Sequence, residues 1–228
     1  MTMSFNVKAQ SAFWKLGAVA LITATIFFVA CKQTSGGGGK QGAPFVEGGA
    51  SLILSPDKLT IEVRARTEDG SAITVEGCTE TTLKSDVETE LHATGTKVIL
   101  KGNITKLQCN YNQFTALNVQ GLTSLQWLNC GNNQLGTLDV QGCTSLQWLN
   151  CSSNKLNAQA MTKLLNALPA REASDYAEAV LYTEDPKVTE GNCTDFTQPA
   201  ELKTALEGAK SRKWMLKKFT ADEGGVDL

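Results

Sequence analysis

Leu125-Gln-Trp-Leu-Asn-Cys-Gly-Asn-Asn-Gln-Leu135 and Leu146-Gln-Trp-Leu-Asn-Cys-Ser-Ser-Asn-Lys-Leu156 repeat one pattern at a spacing of 21 residues. Ile104-Thr-Lys-Leu-Gln-Cys-Asn-Tyr-Asn-Gln-Phe114 repeats it once more on the N-terminal side. A fixed period of this length is the mark of a solenoid, in which each coil buries its apolar face against its neighbours. The expected fold class is α/β. Three 21-residue repeats form a short solenoid with a parallel sheet, closed by an all-β cap before it and an α/β cap after it.

The inward positions recur on schedule. They are Ile104/Leu125/Leu146, Leu107/Leu128/Leu149, Cys109/Cys130/Cys151 and Phe114/Leu135/Leu156, with Leu117/Leu138 and Val119/Val140 on the return side. Asn112, Asn133 and Asn154 share one inward polar position, which is tolerable only if each is hydrogen-bonded. Gly121 and Gly142 mark the bend before the next coil. The repeat cysteines read as small buried apolar side chains. Thiols on neighbouring parallel strands point the same way and suit no disulfide. With no C-x-x-C spacing and His92 as the single histidine, no metal is expected. Cys143 replaces Leu122 and reads as core; Cys78 and Cys193 have no repeat role, and a bridge between them stays open.

The pattern L-x-x-L-x-C-x-x-N-x-L resembles the leucine-rich repeat, with Cys in the third Leu position. From Leu54 to Phe219 the chain resembles treponemal-type bacterial leucine-rich-repeat surface lipoproteins. The stretch Leu122-Thr-Ser-Leu-Gln-Trp-Leu-Asn-Cys, followed by Asn133-Gln-Leu and Leu138-Asp-Val-Gln-Gly142, is close to that family's unit. The resemblance implies an asparagine ladder that bonds the backbone where each strand turns. It also implies a surface lipoprotein acting in adhesion to host tissue or other bacteria.

The N-terminus points the same way. Residues 1–30 carry Lys8 and Lys15 and no acid, and Leu16 to Ala30 runs without a charge. That run is short for a bilayer span and suits a signal-peptide core. Ala30-Cys31 follows and resembles the bacterial lipoprotein cleavage box, with Phe28 where Leu is usual. Cys31 is therefore the expected lipidation site, and the expected location is the cell envelope, at the outer membrane and facing outward. The segments expected are a signal peptide over 1–30, a lipidated cysteine and Gly-rich tether over 31–50, a β-rich cap over 51–100, the repeats over 101–157 and an α/β cap over 158–228. The tether, with Gly36 to Gly39 in a row, would span roughly 25 Å as a flexible coil.

In the first cap, Leu59, Ile61, Val63 and Ala65 alternate as a strand does, and Asp69-Gly70 offers a turn. Met161, Leu164, Leu165 and Leu168 trace one helical face ended by Pro169, and Leu202, Ala205, Leu206 and Ala209 trace another.

Strand residues alternate between core and surface. With Leu and Cys inward, Lys106/Trp127/Trp148 and Gln108/Asn129/Asn150 point outward, flanked by Tyr111. The candidate ligand-binding residues are Tyr111, Trp127, Asn129, Trp148 and Asn150. Trp and Tyr dominate interface hot spots, so a protein partner on a host or bacterial surface is expected, with a glycan as the other possibility. The alternative to an adhesin is an envelope structural or carbohydrate-binding lipoprotein. A net charge of −2 gives no footprint for nucleic acid. With no phosphate loop, nucleophile elbow or H-E-x-x-H motif, neither an enzyme nor a cofactor is expected. A monomer is expected.

Overall fold

The computed structural model describes residues 42–228. The signal peptide, Cys31 and most of the tether lie outside the described residues. Strands β1 (Gly49–Ile53), β2 (Thr60–Thr67), β3 (Ile73–Glu76), β4 (Thr82–Leu83), β5 (Thr89–His92) and β6 (Lys97–Lys101) precede the repeats. The repeats supply β7 (Ile104–Gln108), β8 (Ala116–Asn118), β9 (Trp127–Asn129), β10 (Thr137–Asp139) and β11 (Trp148–Asn150). Helix α1 (Ala158–Ala167), β12 (Glu178–Thr183), helix α2 (Ala200–Ser211), β13 (Met215–Thr220) and β14 (Gly224–Asp227) complete the order.

The architecture corrects the expected fold class. Among the described residues the protein is mostly β, with 14 strands in two mixed sheets and two α-helices, rather than an α/β leucine-rich-repeat solenoid with a parallel sheet between an all-β cap and an α/β cap. One sheet has eight strands in the order β14-β13-β12-β11-β9-β7-β2-β5, and the other has six in the order β10-β8-β1-β6-β3-β4. The 21-residue period does set a local register. β7, β9 and β11 run parallel, pairing Leu107 with Leu128 and Leu128 with Leu149.

The difference arises on the return side of each repeat. Leu117 and Val119 are buried, as are Leu138 and Val140, and in β8 the residues between and before them are buried as well, so the return chain runs extended between the core and a neighbouring strand. The return segments therefore pair as β8 and β10, in parallel, and begin a second sheet. Strands from the N-terminal region then add antiparallel to both sheets: β1 to β8, and β2 to β7. That addition makes both sheets mixed. β1 also begins at Gly49, inside the stretch expected to be tether, and Gly49 to Leu52 are buried. The third repeat has no return strand, because Asn157 starts a helix there. Its Oδ1 accepts the Ala160 N–H at 2.9 Å, and α1 turns Met161, Leu164 and Leu165 inward.

One continuous core contains the inward residues of both sheets and of both helices. Gly121 and Gly142 take the same left-handed conformation, with φ of 77° at each. A Cβ on Gly142 would stand 3.4 Å from the Gly121 backbone, so the two bends stack without side chains.

Candidate functional site

The outward face of the eight-stranded sheet is positioned from behind by two columns of side chains. In the first, Asn133 Oδ1 accepts the N–H groups of Asn112 and Phe114, each at 3.0 Å. Its Nδ2 donates to the carbonyls of Cys109 and Cys130 at 3.0 Å and of Gly131 at 3.2 Å. Asn154 repeats this one coil on, donating to Cys130, Cys151 and Ser152 and accepting from Leu135. Asn112 reaches back to β2, where it accepts from the Glu62 N–H and donates to the Glu62 carbonyl. Each carboxamide thus satisfies backbone groups of two adjacent turns, which fixes the strand ends in three dimensions.

The ladder has a fourth member that the period did not disclose. Asn192 accepts the Leu156 N–H at 2.8 Å and donates to the carbonyls of Cys151 and Leu181, both at 2.8 Å. Beside it, Glu190 accepts the N–H groups of Ser153, Thr183, Gly191 and Asn192. The signal available in sequence was weak. Asn192 lies beyond the helix inserted after the third repeat, so it falls outside the 21-residue register.

The second column is Cys109, Cys130 and Cys151, all fully buried and free. Burial pushes the Cys109 and Cys143 thiols up to about 12, and raises those of Cys130 and Cys151 well above the ordinary range. Cys143 is free and donates to the Val119 carbonyl at 3.1 Å. Cys78 and Cys193 are each free and half-buried, so the bridge left open between them is not formed.

In front of these columns the outward residues form rows across the strands. Arg66 of β2 lies opposite Lys106 of β7, Lys106 beside Trp127 of β9, Trp127 beside Trp148 of β11, and Trp148 beside Glu178 of β12. The two indoles stack with ring centroids 4.4 Å apart and planes 5° from parallel. Lys106 Nζ covers the Trp127 ring at 4.4 Å from its centroid, a cation–π contact. The faces of Trp127 are therefore occupied on both sides, and the ring edges meet solvent. Neither indole N–H has an acceptor among the described residues, and neither is sealed from water.

The next row is Arg64, Gln108, Asn129 and Asn150. Asn129 Oδ1 accepts the Gly131 N–H at 3.2 Å, and Asn150 Oδ1 accepts the Ser152 N–H at 3.0 Å and its hydroxyl at 2.8 Å. Both amide oxygens are used inside the protein, and among the described residues neither NH2 group has an acceptor. Tyr111 is 65 % exposed and adopts a left-handed backbone with φ of 62°. Its carbonyl accepts Lys58 Nζ at 2.9 Å. Among the described residues no aromatic contact joins it to the tryptophan stack. The structure thus brings Trp127, Trp148, Asn129 and Asn150 onto one patch and leaves Tyr111 on a turn beyond it.

Sequence reasoning missed Arg66, which belongs to the same row but comes from β2. Its pairing with β7 is antiparallel and carries no periodic signal. Two further cations of this face are paired. Glu178 meets Lys217 at 2.8 Å, which raises the lysine's pKa, and Arg64 meets Asp86 at 3.0 Å. Comparison with protein-family models, characterised proteins and solved structures found no match for the chain.

Proposed function

We propose that this protein is a non-enzymatic binding module of the cell envelope, which holds a partner protein against the outward face of its eight-stranded sheet and serves in adhesion. The observation that carries the reading is the Trp127–Trp148 stack, two half-exposed indoles in register at the centre of the sheet with unused N–H donors at their edges. Large aromatic side chains that are rigid, amphipathic and partly exposed are the side chains that dominate protein–protein hot spots. The stack is held at its back by the asparagine and cysteine columns, so the face requires little ordering on binding. Membrane attachment through Cys31 rests on the sequence around Ala30-Cys31.

The test combines location with contact. Cells carrying the wild-type chain are treated with proteinase while intact, and adhesion to host cells and to neighbouring bacteria is scored for wild type and for Trp127→Ala with Trp148→Ala. Cleavage on intact cells together with loss of adhesion in the variant supports the reading. Protection until the outer membrane is broken, or undiminished adhesion by the folded variant, overturns it.

A further inference from the structure

The row across β2, β7, β9 and β11 carries a charge arrangement that the tryptophan stack alone does not require. Arg66 and Lys106 stand directly opposite each other on adjacent antiparallel strands. Like charges in that position repel and weaken the pairing. Among the described residues neither cation has a carboxylate within ion-pair reach, although the chain holds more acids than bases, 23 against 21. Two acids of this face are already paired with other cations: Asp86 with Arg64 and Glu178 with Lys217. Glu62 and Glu90 face each other four residues further along β2 from Arg66, about 13 Å away at the rise of a strand.

The uncharged groups of the patch have the same polarity. Trp127 and Trp148 offer N–H donors, and Asn129 and Asn150 offer NH2 donors because their oxygens are already used by Gly131 and Ser152. Gln108 and the lysine-paired Glu178 carry the acceptors of the patch, and its remaining groups are donors. A neutral sugar matches it badly on two counts. Its hydroxyls donate as well as accept, and both faces of Trp127 are covered, by Lys106 and by Trp148. An extended acidic peptide matches it well. Its carboxylates accept only, and the planar guanidinium of Arg66 can receive a carboxylate through two parallel hydrogen bonds.

We infer that the row Arg66–Lys106–Trp127–Trp148 is a docking site for an acidic segment of a partner protein, with the partner's carboxylates seated over Arg66 and Lys106 and its backbone against the indole edges. The inference rests on the proposed role of this face and adds the chemistry of what it holds.

The experiment uses the full chain and three probes: a labelled peptide of alternating Glu and Thr, the same peptide with Gln for Glu, and heparin. Wild type binds the Glu peptide at least about tenfold more tightly than the Gln peptide, the scale of one charge-assisted hydrogen bond, and the difference shrinks as salt is raised. Arg66→Gln with Lys106→Gln abolishes the difference, while Lys97→Gln on the six-stranded sheet retains it. Thermal unfolding of each variant establishes that it is folded. Equal binding of the two peptides, or a difference that survives in the double variant, overturns the inference. Tighter binding of heparin than of the Glu peptide, lost in the same variant, overturns it in favour of a sulfated polysaccharide. Adhesion lost with the tryptophans but kept in the Arg66/Lys106 variant removes this inference alone. Adhesion kept in both sets of variants removes the proposed function as well.

Discussion

Asn192 donates to the Cys151 carbonyl at 2.8 Å, so a loop residue far along the chain closes a ladder that began inside the repeats. The same carboxamide takes the Leu156 N–H and the Leu181 carbonyl, joining the last repeat to β12. Asn192→Ala should leave the Leu156 N–H and the Leu181 carbonyl without this partner, while the Cys151 carbonyl keeps Asn154, and unfolding in urea should show a loss on the order of 2–4 kcal/mol. Asn133→Leu, in the middle of the ladder, should cost a similar amount. A midpoint unchanged in both variants would mean that the ladder contributes only geometry.

The burial of the cysteine column gives a chemical prediction. Alkylation of the folded chain at pH 8, read by mass spectrometry, should leave Cys109, Cys130, Cys143 and Cys151 unmodified, because each is buried and its thiolate strongly disfavoured. After denaturation without reductant all four should react. Cys130→Ser should cost roughly 1–3 kcal/mol, the penalty for a poorly satisfied buried hydroxyl. Modification of the column in the folded state would place it nearer solvent than the structure has it.

How much of this was legible beforehand follows from what periodicity can register. β7, β9 and β11 were readable because Leu and Cys recur at a fixed interval, and their register is the one the period implies. The second sheet was readable only in part: β3, β4 and β6 lie in the stretch expected to be a β-rich cap, but no signal joined them to the return segments. β8 and β10 are three residues each, too short for an alternating pattern to stand out, and β1 begins in a stretch whose glycines suggested a tether. Side-chain stacking, the place of Arg66 and the role of Asn192 depend on pairings between segments distant in sequence, which no local signal carries.

His92 offers a pH test at a single resonance, since it is the chain's one histidine. Its Nδ1 meets Glu80 at 2.8 Å and its Nε2 meets Glu90 at 3.2 Å. The hydrogen bond to Glu80 raises the imidazole pKa above its ordinary 6.5, and hydrogen bonds from the His92 backbone and ring hold the Glu80 carboxyl down to about 2. A raised histidine stabilises the fold below 6.5, and that contribution is lost as pH rises through the folded value. A depressed carboxylate stabilises it above 4.5, and that contribution is lost as pH falls towards 2. The pair therefore helps most between pH 4.5 and 6.5. The stability difference between wild type and Glu80→Gln should peak in that window and shrink with salt, as for any exposed pair. The His92 signal should titrate above 6.5 in wild type and closer to it in the variant. A histidine midpoint below 6.5 would exclude the contact in solution.

The stacking of Trp127 on Trp148 changes what mutation of the pair should do. Outward position alone predicts that removing both leaves unfolding nearly unchanged. Rings 4.4 Å apart and nearly parallel, with Lys106 over the first, predict a cost instead. An aromatic pair contributes about 0.5–1.5 kcal/mol beyond the area it buries, and a double-substitution cycle over Trp127→Ala and Trp148→Ala should return a coupling energy of that size. Trp127→Ala should be the more harmful of the two, because it removes the cation–π contact as well as the stack. Coupled indoles also give a paired circular-dichroism band of opposite signs, which should vanish in either single variant. Zero coupling and an unchanged spectrum would show the two rings to be independent in solution. Adhesion measured on the same variants then separates the two roles: a stack that only packs would lose stability in proportion to its contacts and leave binding intact, whereas a binding surface would lose adhesion by far more than the coupling energy accounts for.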